Sequence, residues 1–232
     1  MPASALPGCL EYVARVSRST LPIFPLAGPA LFPHCTAPLH IFEPRYRALV
    51  ADALAGERRI GMATVRPEAV REMAGDPALF EIGCAGFIAE CQRLADGRYL
   101  LQLQATDLFR IVSEPPRPPG RLYRVAEVES LAEPSPDESR AAALQAESLR
   151  ELEALLRAVS GAEAALDLAR LASLEPARFA GELCQSLRLP GAEKQALLEA
   201  RGPEERLERL CQTLAFYRAA AAASQPEEPV LH

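Results

Sequence analysis

Three sets of residues in this 232-residue chain carry chemistry: a histidine–cysteine cluster, one lysine and scattered thiols. His34, Cys35 and His40 fall within seven residues of one another and are metal-ligand types. A closed zinc site needs four donors at characteristic spacings, and no fourth stands near these three. The cluster therefore predicts no metal: His34 reads as a loop residue and His40 as a strand residue with local hydrogen bonds. The single lysine, Lys194, lies between Glu193 and Gln195. A P-loop places its lysine between glycine and Ser/Thr, and a Ser–Lys peptidase dyad needs a desolvated amine. Lys194 fits neither and is expected to be a solvated ammonium at a helix start. The chain has no G-x-G loop, no G-x-S-x-G elbow and no H-E-x-x-H. No catalytic residue and no cofactor is expected.

Cys9, Cys35, Cys84, Cys91, Cys184 and Cys211 show no C-x-x-C spacing, so they read as small apolar side chains with free thiols. Leu6-Pro7-Gly8-Cys9 looks like a lipoprotein cleavage box but lacks the basic and apolar regions that precede one. Gly83-Cys84-Ala85-Gly86 matches the G-x-x-G of KH loops without the basic flank that phosphate contact requires.

These residues must be held by two kinds of element. Up to about Leu131 the chain is rich in proline, aromatic and β-branched residues; after Pro134 it is rich in Ala, Leu, Glu and Arg. This predicts a mostly β half followed by a helical half. Leu21 to Pro25 reads as an edge strand, because Pro22 and Pro25 cannot donate to a ladder. Ala37 to Phe42 reads as a second strand. Pro44 opens a helix that leaves at Gly56, with Tyr46, Leu49, Val50 and Ala53 on one face. Arg59 to Val65 follows as a strand. Gly86–Leu94 and Arg98–Gln104 form a hairpin turning at Ala95-Asp96-Gly97, with Tyr99, Leu101 and Leu103 alternating against Leu100, Gln102 and Gln104. Leu108–Val112 and Leu122–Val128 add two strands around a loop at Pro115–Gly120. Short strands around one helix fit a small, partly open β-barrel.

Ser135-Pro136-Asp137-Glu138 predicts a capping box at the start of the helical half. The helix after it carries Leu149, Leu152, Leu156 and Val159 as a stripe and ends at Gly161. Further helices are predicted over Glu163–Ala172, from Pro176 with Phe179, Leu183 and Leu187, over Glu193–Ala200, and from Pro203 with Leu207, Leu210, Leu214 and Tyr217. Five amphipathic helices make a bundle. The organisation is thus α+β: a barrel over residues 1–132, a bundle over 133–218 and a flexible tail over 219–232.

Apolar residues at 49% and charged residues at 24% describe an ordinary soluble balance. A net charge of −6 with one lysine argues against nucleic acid, although the twenty-four arginines leave room for a local basic patch. No run of about eighteen apolar residues appears, so no membrane span is expected and the chain is assigned to the cytoplasm.

Leu21-Pro22-Ile23-Phe24-Pro25-Leu26, Leu31-Phe32-Pro33 and Pro38-Leu39-His40-Ile41-Phe42-Glu43-Pro44-Arg45-Tyr46-Arg47 resemble the opening signature of the Lon protease N-terminal domain family. The resemblance runs on through Asp96-Gly97-Arg98, Phe109-Arg110-Ile111 and Tyr123 to Glu129, and reaches Glu193–Glu199 and Glu205–Leu210. His34 stands where the family often has glycine, Ala105 where glycine is usual, and Leu108 where arginine is common. The resemblance implies a PUA-like pseudo-barrel followed by a helical bundle, and a domain that selects substrates without turning them over. It implies unfolded or extended protein segments as partners, with a protease complex or a second copy of the chain as further ones. The chain ends where the ATPase of a full-length Lon would begin, so neither ATPase nor peptidase is expected. Phe24, Leu31, Phe32, Pro33, His34, Ile41, Phe42 and Arg45 are the candidate binding residues, the six other than His34 and Arg45 being more apolar surface than one edge and loop readily bury. A partner segment would add to the edge strand there, with Arg45 and Arg47 pairing either with its carboxylates or locally, for instance with Glu43. Two alternatives are docking through the helical bundle as an adaptor, and RNA binding on the PUA-like fold.

Overall fold

The computed structural model describes residues 18–28, 31–159 and 167–223. Cys9 and its flanking residues, Gly161, the start of the expected Glu163–Ala172 helix and residues 224–232 lie outside that set. The structure is α+β, with six strands in a single sheet followed by five helices.

The strands are β1 (Arg18–Leu26), β2 (Thr36–Ile41), β3 (Arg59–Thr64), β4 (Ile82–Arg93), β5 (Tyr99–Ser113) and β6 (Arg124–Leu131). They run in the order β2-β5-β4-β3-β1-β6, and a β5–β6 pairing closes the barrel. β1 is therefore not an edge strand, contrary to what its prolines suggest. It pairs antiparallel with β6 from Arg18 to Ile23 and parallel with β3 from Ile23 to Leu26. Pro22 thus belongs only to the β6 ladder and Pro25 only to the β3 ladder. Each proline has one side without a partner strand, which is how an inner strand tolerates both.

The expected strands Arg98–Gln104 and Leu108–Val112 are one continuous β5. A bulge opposite Cys84 and Gly86 bends it, so that its first half pairs with β2 and its second with β6. Close approach explains the G-x-x-G match. A Cβ on Gly83 would lie 2.5 Å from the Met62 carbonyl and the Phe109 ring, and one on Gly86 2.6 Å from Leu103. Those glycines make room for core side chains.

Pro44 starts α1 (Pro44–Ala55), and Tyr46, Leu49, Val50 and Ala53 are its buried residues, as the spacing predicts. The helical half comprises α2 (Glu138–Ala158), α3 (Leu168–Ala172), α4 (Pro176–Ser186), α5 (Gly191–Leu198) and α6 (Pro203–Ala223). Asp137, not Ser135, caps α2, accepting from the Arg140 amide at 3.1 Å. The buried face of α2 is Ala141, Gln145, Ser148 and Leu152, rotated from the leucine stripe. α6 approaches closely there, with Ser148 Oγ 3.0 Å from Cys211 Sγ, so small residues take the contact and Leu149 and Leu156 flank it. α6 itself continues through Ala223, past the expected start of the tail.

One core spans both halves, uniting Phe32, Ile41, Leu49 and Leu103 with Phe179, Leu183, Leu207 and Leu210. Polar pins reinforce the junction. Gln185 of α4 donates to the Thr36 carbonyl at 3.0 Å and accepts from the Phe32 amide at 3.4 Å. Gln195 donates to the Ile82 carbonyl at 2.9 Å. Arg206, fully buried, pairs with Glu133 at 2.6 Å and donates to the Leu197 carbonyl at 3.2 Å.

Candidate binding groove

The chain brings no catalytic constellation together among the described residues. Lys194 is buried, contrary to expectation, because the start of α5 packs on the end of α4. Its Nζ donates 2.8 Å to the carbonyl of Gln185, in the last turn of α4, and desolvation lowers its pKa from the ordinary lysine value. Burial also pushes the Cys35 and Cys184 thiols up to about 12, which leaves them protonated and unreactive near neutral pH. Cys35 is buried against Gly181, whereas His34 and His40 are exposed. Among the described residues no group of three or more His, Cys, Asp or Glu is placed to hold a metal ion.

The eight candidate binding residues separate into three sets, interior, partly covered and exposed. Leu31, Phe32 and Pro33 are interior because α4 docks on their loop, where a Cβ on Gly181 would lie 2.4 Å from the Pro33 carbonyl, and Ile41 is buried at the end of β2. These four cannot present a free surface. Phe24 is half-buried with its ring 4.2 Å from that of Tyr46. Arg45 is spent locally, on Glu43 at 2.9 Å, the Met73 carbonyl at 2.6 Å and the Tyr46 ring at 4.5 Å. His34 and Phe42 remain exposed, and Phe42, at 59% exposure, lies 5.9 Å ring to ring from His40.

Phe42 leads to the surface that the sequence reading missed. β2 pairs only with β5, so it is the free edge of the sheet, and Pro38 suits an edge. Three cross-strand rows face outward over β2, β5 and β4: Thr36–Gln104–Phe87, Pro38–Gln102–Glu90 and His40–Leu100–Gln92. A bulge between Ile88 and Glu90 sets the last two rows, turning Glu90 and Gln92 outward and leaving Cys91 half-buried. Leu100 and Phe87 are 42% and 38% exposed there. An open groove of about 530 Å³ runs over this face, lined chiefly by Pro38, Leu39, His40, Glu90, Leu100 and Gln102. One signal was legible: Leu100 occupies the outward register of an alternating strand, where a polar residue is usual.

A closed barrel, a bundle docked on it and an open, partly apolar groove beside a free strand make up a barrel-and-bundle architecture. Residues 20–215 match the model of the ATP-dependent protease La (LON) substrate-binding domain, and the chain belongs to that family. Lon protease 2 of Myxococcus xanthus is 28% identical over 202 residues, covering 85% of this chain and 24% of that protein. Lon protease of Escherichia coli strain K12 is 28% identical over 207 residues, covering 84% of this chain and 24% of that protein. The chain therefore spans about a quarter of the length of the curated relatives it matches. Among solved structures, the Lon N-terminal domain protein from Xanthomonas campestris superposes with TM-score 0.54 at 26% identity, covering 84% of this chain and 98% of that one. The N-terminal domain of Mycobacterium avium complex Lon protease shares the fold, with TM-score 0.59 at 20% identity, covering 87% of this chain and 98% of that one. No described helix is long and apolar enough to cross a membrane.

Proposed function

We propose that this chain binds extended, apolar segments of other proteins along the outward face of β2, β5 and β4, without chemical turnover. The observation that carries the reading is the exposure of Leu100 in a groove beside the free β2 edge, with Phe87 exposed in the next cross-strand row and Phe42 exposed beside His40. Large apolar side chains left in water at one concave place mark an interaction site more than scattered ones do. The edge would add main-chain hydrogen bonds to an extended partner, with Pro38 withholding one donor. Family membership agrees with this reading, since the family is that of a substrate-binding domain.

The test is fluorescence anisotropy with a labelled, permanently unfolded protein such as reduced, carboxymethylated lactalbumin. Leu100→Asp and Phe87→Asp are each expected to weaken binding at least about tenfold, as loss of a central apolar contact does. Phe216→Asp, on α6, is expected to leave it unchanged. Unchanged binding in both barrel variants would overturn the proposal. Loss in the Phe216 variant alone would move the surface to the bundle, as an adaptor reading requires.

A further inference from the structure

A second pocket of about 490 Å³ lies on the other face of the β4–β5 ribbon, where Cys91, Arg93 and Tyr99 alternate with the outward Glu90, Gln92 and Leu100. Cys91 lines both pockets, on the stretch of β4 beyond its last β3 pair at Phe87, so the two are separated by that one unpaired edge. The other walls of this pocket are Ala51 and Leu54 of α1, Tyr99 of β5, and two arginines, Arg58 and Arg93. Among the described residues each guanidinium is met by an aromatic ring instead of a carboxylate. Arg58 lies 5.3 Å from the centroid of Phe87, and Arg93 lies 6.0 Å from that of Tyr99. The Nε of Arg58 is buried with no hydrogen-bond partner. That nitrogen is closed to solvent, so a ligand in the pocket would meet the guanidinium through its outer nitrogens.

The acidic residues nearby are turned to other tasks. Asp96 is paired with Arg98 at 2.7 Å, Glu57 lines a separate pocket with Thr20 and Asp52, and Glu90 lines the main groove. The walls of this pocket therefore carry two positive charges and no negative one. The base of Arg58 is fixed as well: its amide donates to the Ala53 carbonyl at 2.9 Å and its carbonyl accepts from the Ile88 amide at 2.8 Å.

We propose that the pocket between Arg58 and Arg93 receives a carboxylate of the segment bound in the groove, which reaches it around the unpaired edge of β4 at Cys91. This rests on the groove reading above, and it adds a rule of selection: apolar segments bearing a carboxylate are preferred over neutral ones. The guanidinium fork accommodates a carboxylate with paired hydrogen bonds, and the ring faces beneath keep both cations from collapsing onto other partners. A carboxylate from a chain terminus and one from an aspartate side chain offer the same chemistry.

The experiment uses the full chain and three amino-terminally labelled peptides of one apolar sequence. One ends in a free carboxylate, one in a carboxamide, and one in a carboxamide with a single internal aspartate. The free carboxylate is expected to bind about tenfold more tightly than the neutral peptide, with an advantage that shrinks as salt rises. That advantage is expected to vanish in Arg93→Gln, an exposed position that folding tolerates, and in Arg58→Gln if circular dichroism shows it folded. The aspartate peptide identifies the source, binding like the free carboxylate if side chains serve and like the neutral one if only termini do. Equal affinity for charged and neutral peptides, or an advantage that survives both substitutions, would overturn the proposal while leaving the groove intact. Arg-dependent binding of the charged peptides with none of the neutral one would instead support the carboxylate pocket and remove the apolar groove.

Discussion

His34 holds its backbone at φ 63°, in the left-handed region where a side chain is strained, and its imidazole is exposed. A Cβ there costs about 1–2 kcal/mol, against about 0.5–1 kcal/mol of extra chain entropy that glycine loses on folding. His34→Gly is therefore expected to raise stability by roughly 0.5–1 kcal/mol, read from the urea midpoint; a lower midpoint would show that the imidazole makes a contact that matters. This residue was legible in part, because the resemblance noted in the sequence suggests glycine at its place. Lys194 was not. Its polar neighbours in sequence say nothing of the α4 carbonyl that its amine reaches in space. Arg206 was readable in principle, because it lies four residues before Leu210 on the buried face of α6. Its partner Glu133 is far away in the chain, which no local pattern reveals.

Elements were legible where one periodicity decided them. The buried face of α1 and the Asp96-Gly97 hairpin follow from spacing and turn chemistry alone. What spacing could not give is which strand ends next to which. Proline content suggested an edge at β1, but the pairing changes from β6 to β3 at Ile23, so the free edge falls to β2. The loop from Leu31 to Pro33 read as sticky surface for a similar reason: its cover, α4, comes about 150 residues later. Gly181 is the residue that allows that contact. In a helix interior, Gly→Ala ordinarily gains about 1 kcal/mol. Here the new methyl would lie 2.4 Å from the Pro33 carbonyl, and a backbone oxygen cannot swing aside as a side chain does. Overpacking of this kind costs about 1–3 kcal/mol, so Gly181→Ala is expected to destabilise despite its better propensity. A higher denaturation midpoint for this variant would mean that the loop yields cheaply.

At the scale of the molecule, the change of composition near residue 132 marks a change of secondary structure, while the core runs across it. Ile41 and Leu103 from the barrel share one cluster with Phe179, Leu183 and Leu207 from the bundle. Arg206 of α6 holds Glu133 in the segment that joins β6 to α2. Barrel and bundle are accordingly expected to unfold in one cooperative transition, with strand and helix signals melting at the same midpoint. Arg206→Ala leaves Glu133 without its cation and the Leu197 carbonyl without that donor, at a cost of about 3–5 kcal/mol. If the two halves are energetically one, this substitution lowers the midpoint of every probe together, including the signal from barrel tyrosines such as Tyr99 and Tyr123. If they are separate, the helical signal moves alone and the barrel keeps its own midpoint. The distinction bears on binding, because the free strand β2 is tied to the bundle through the bond from Gln185 to the Thr36 carbonyl. A bundle that could melt by itself would release the edge of the groove, whereas a shared transition keeps β2 and the Leu100 surface in place until the whole chain unfolds.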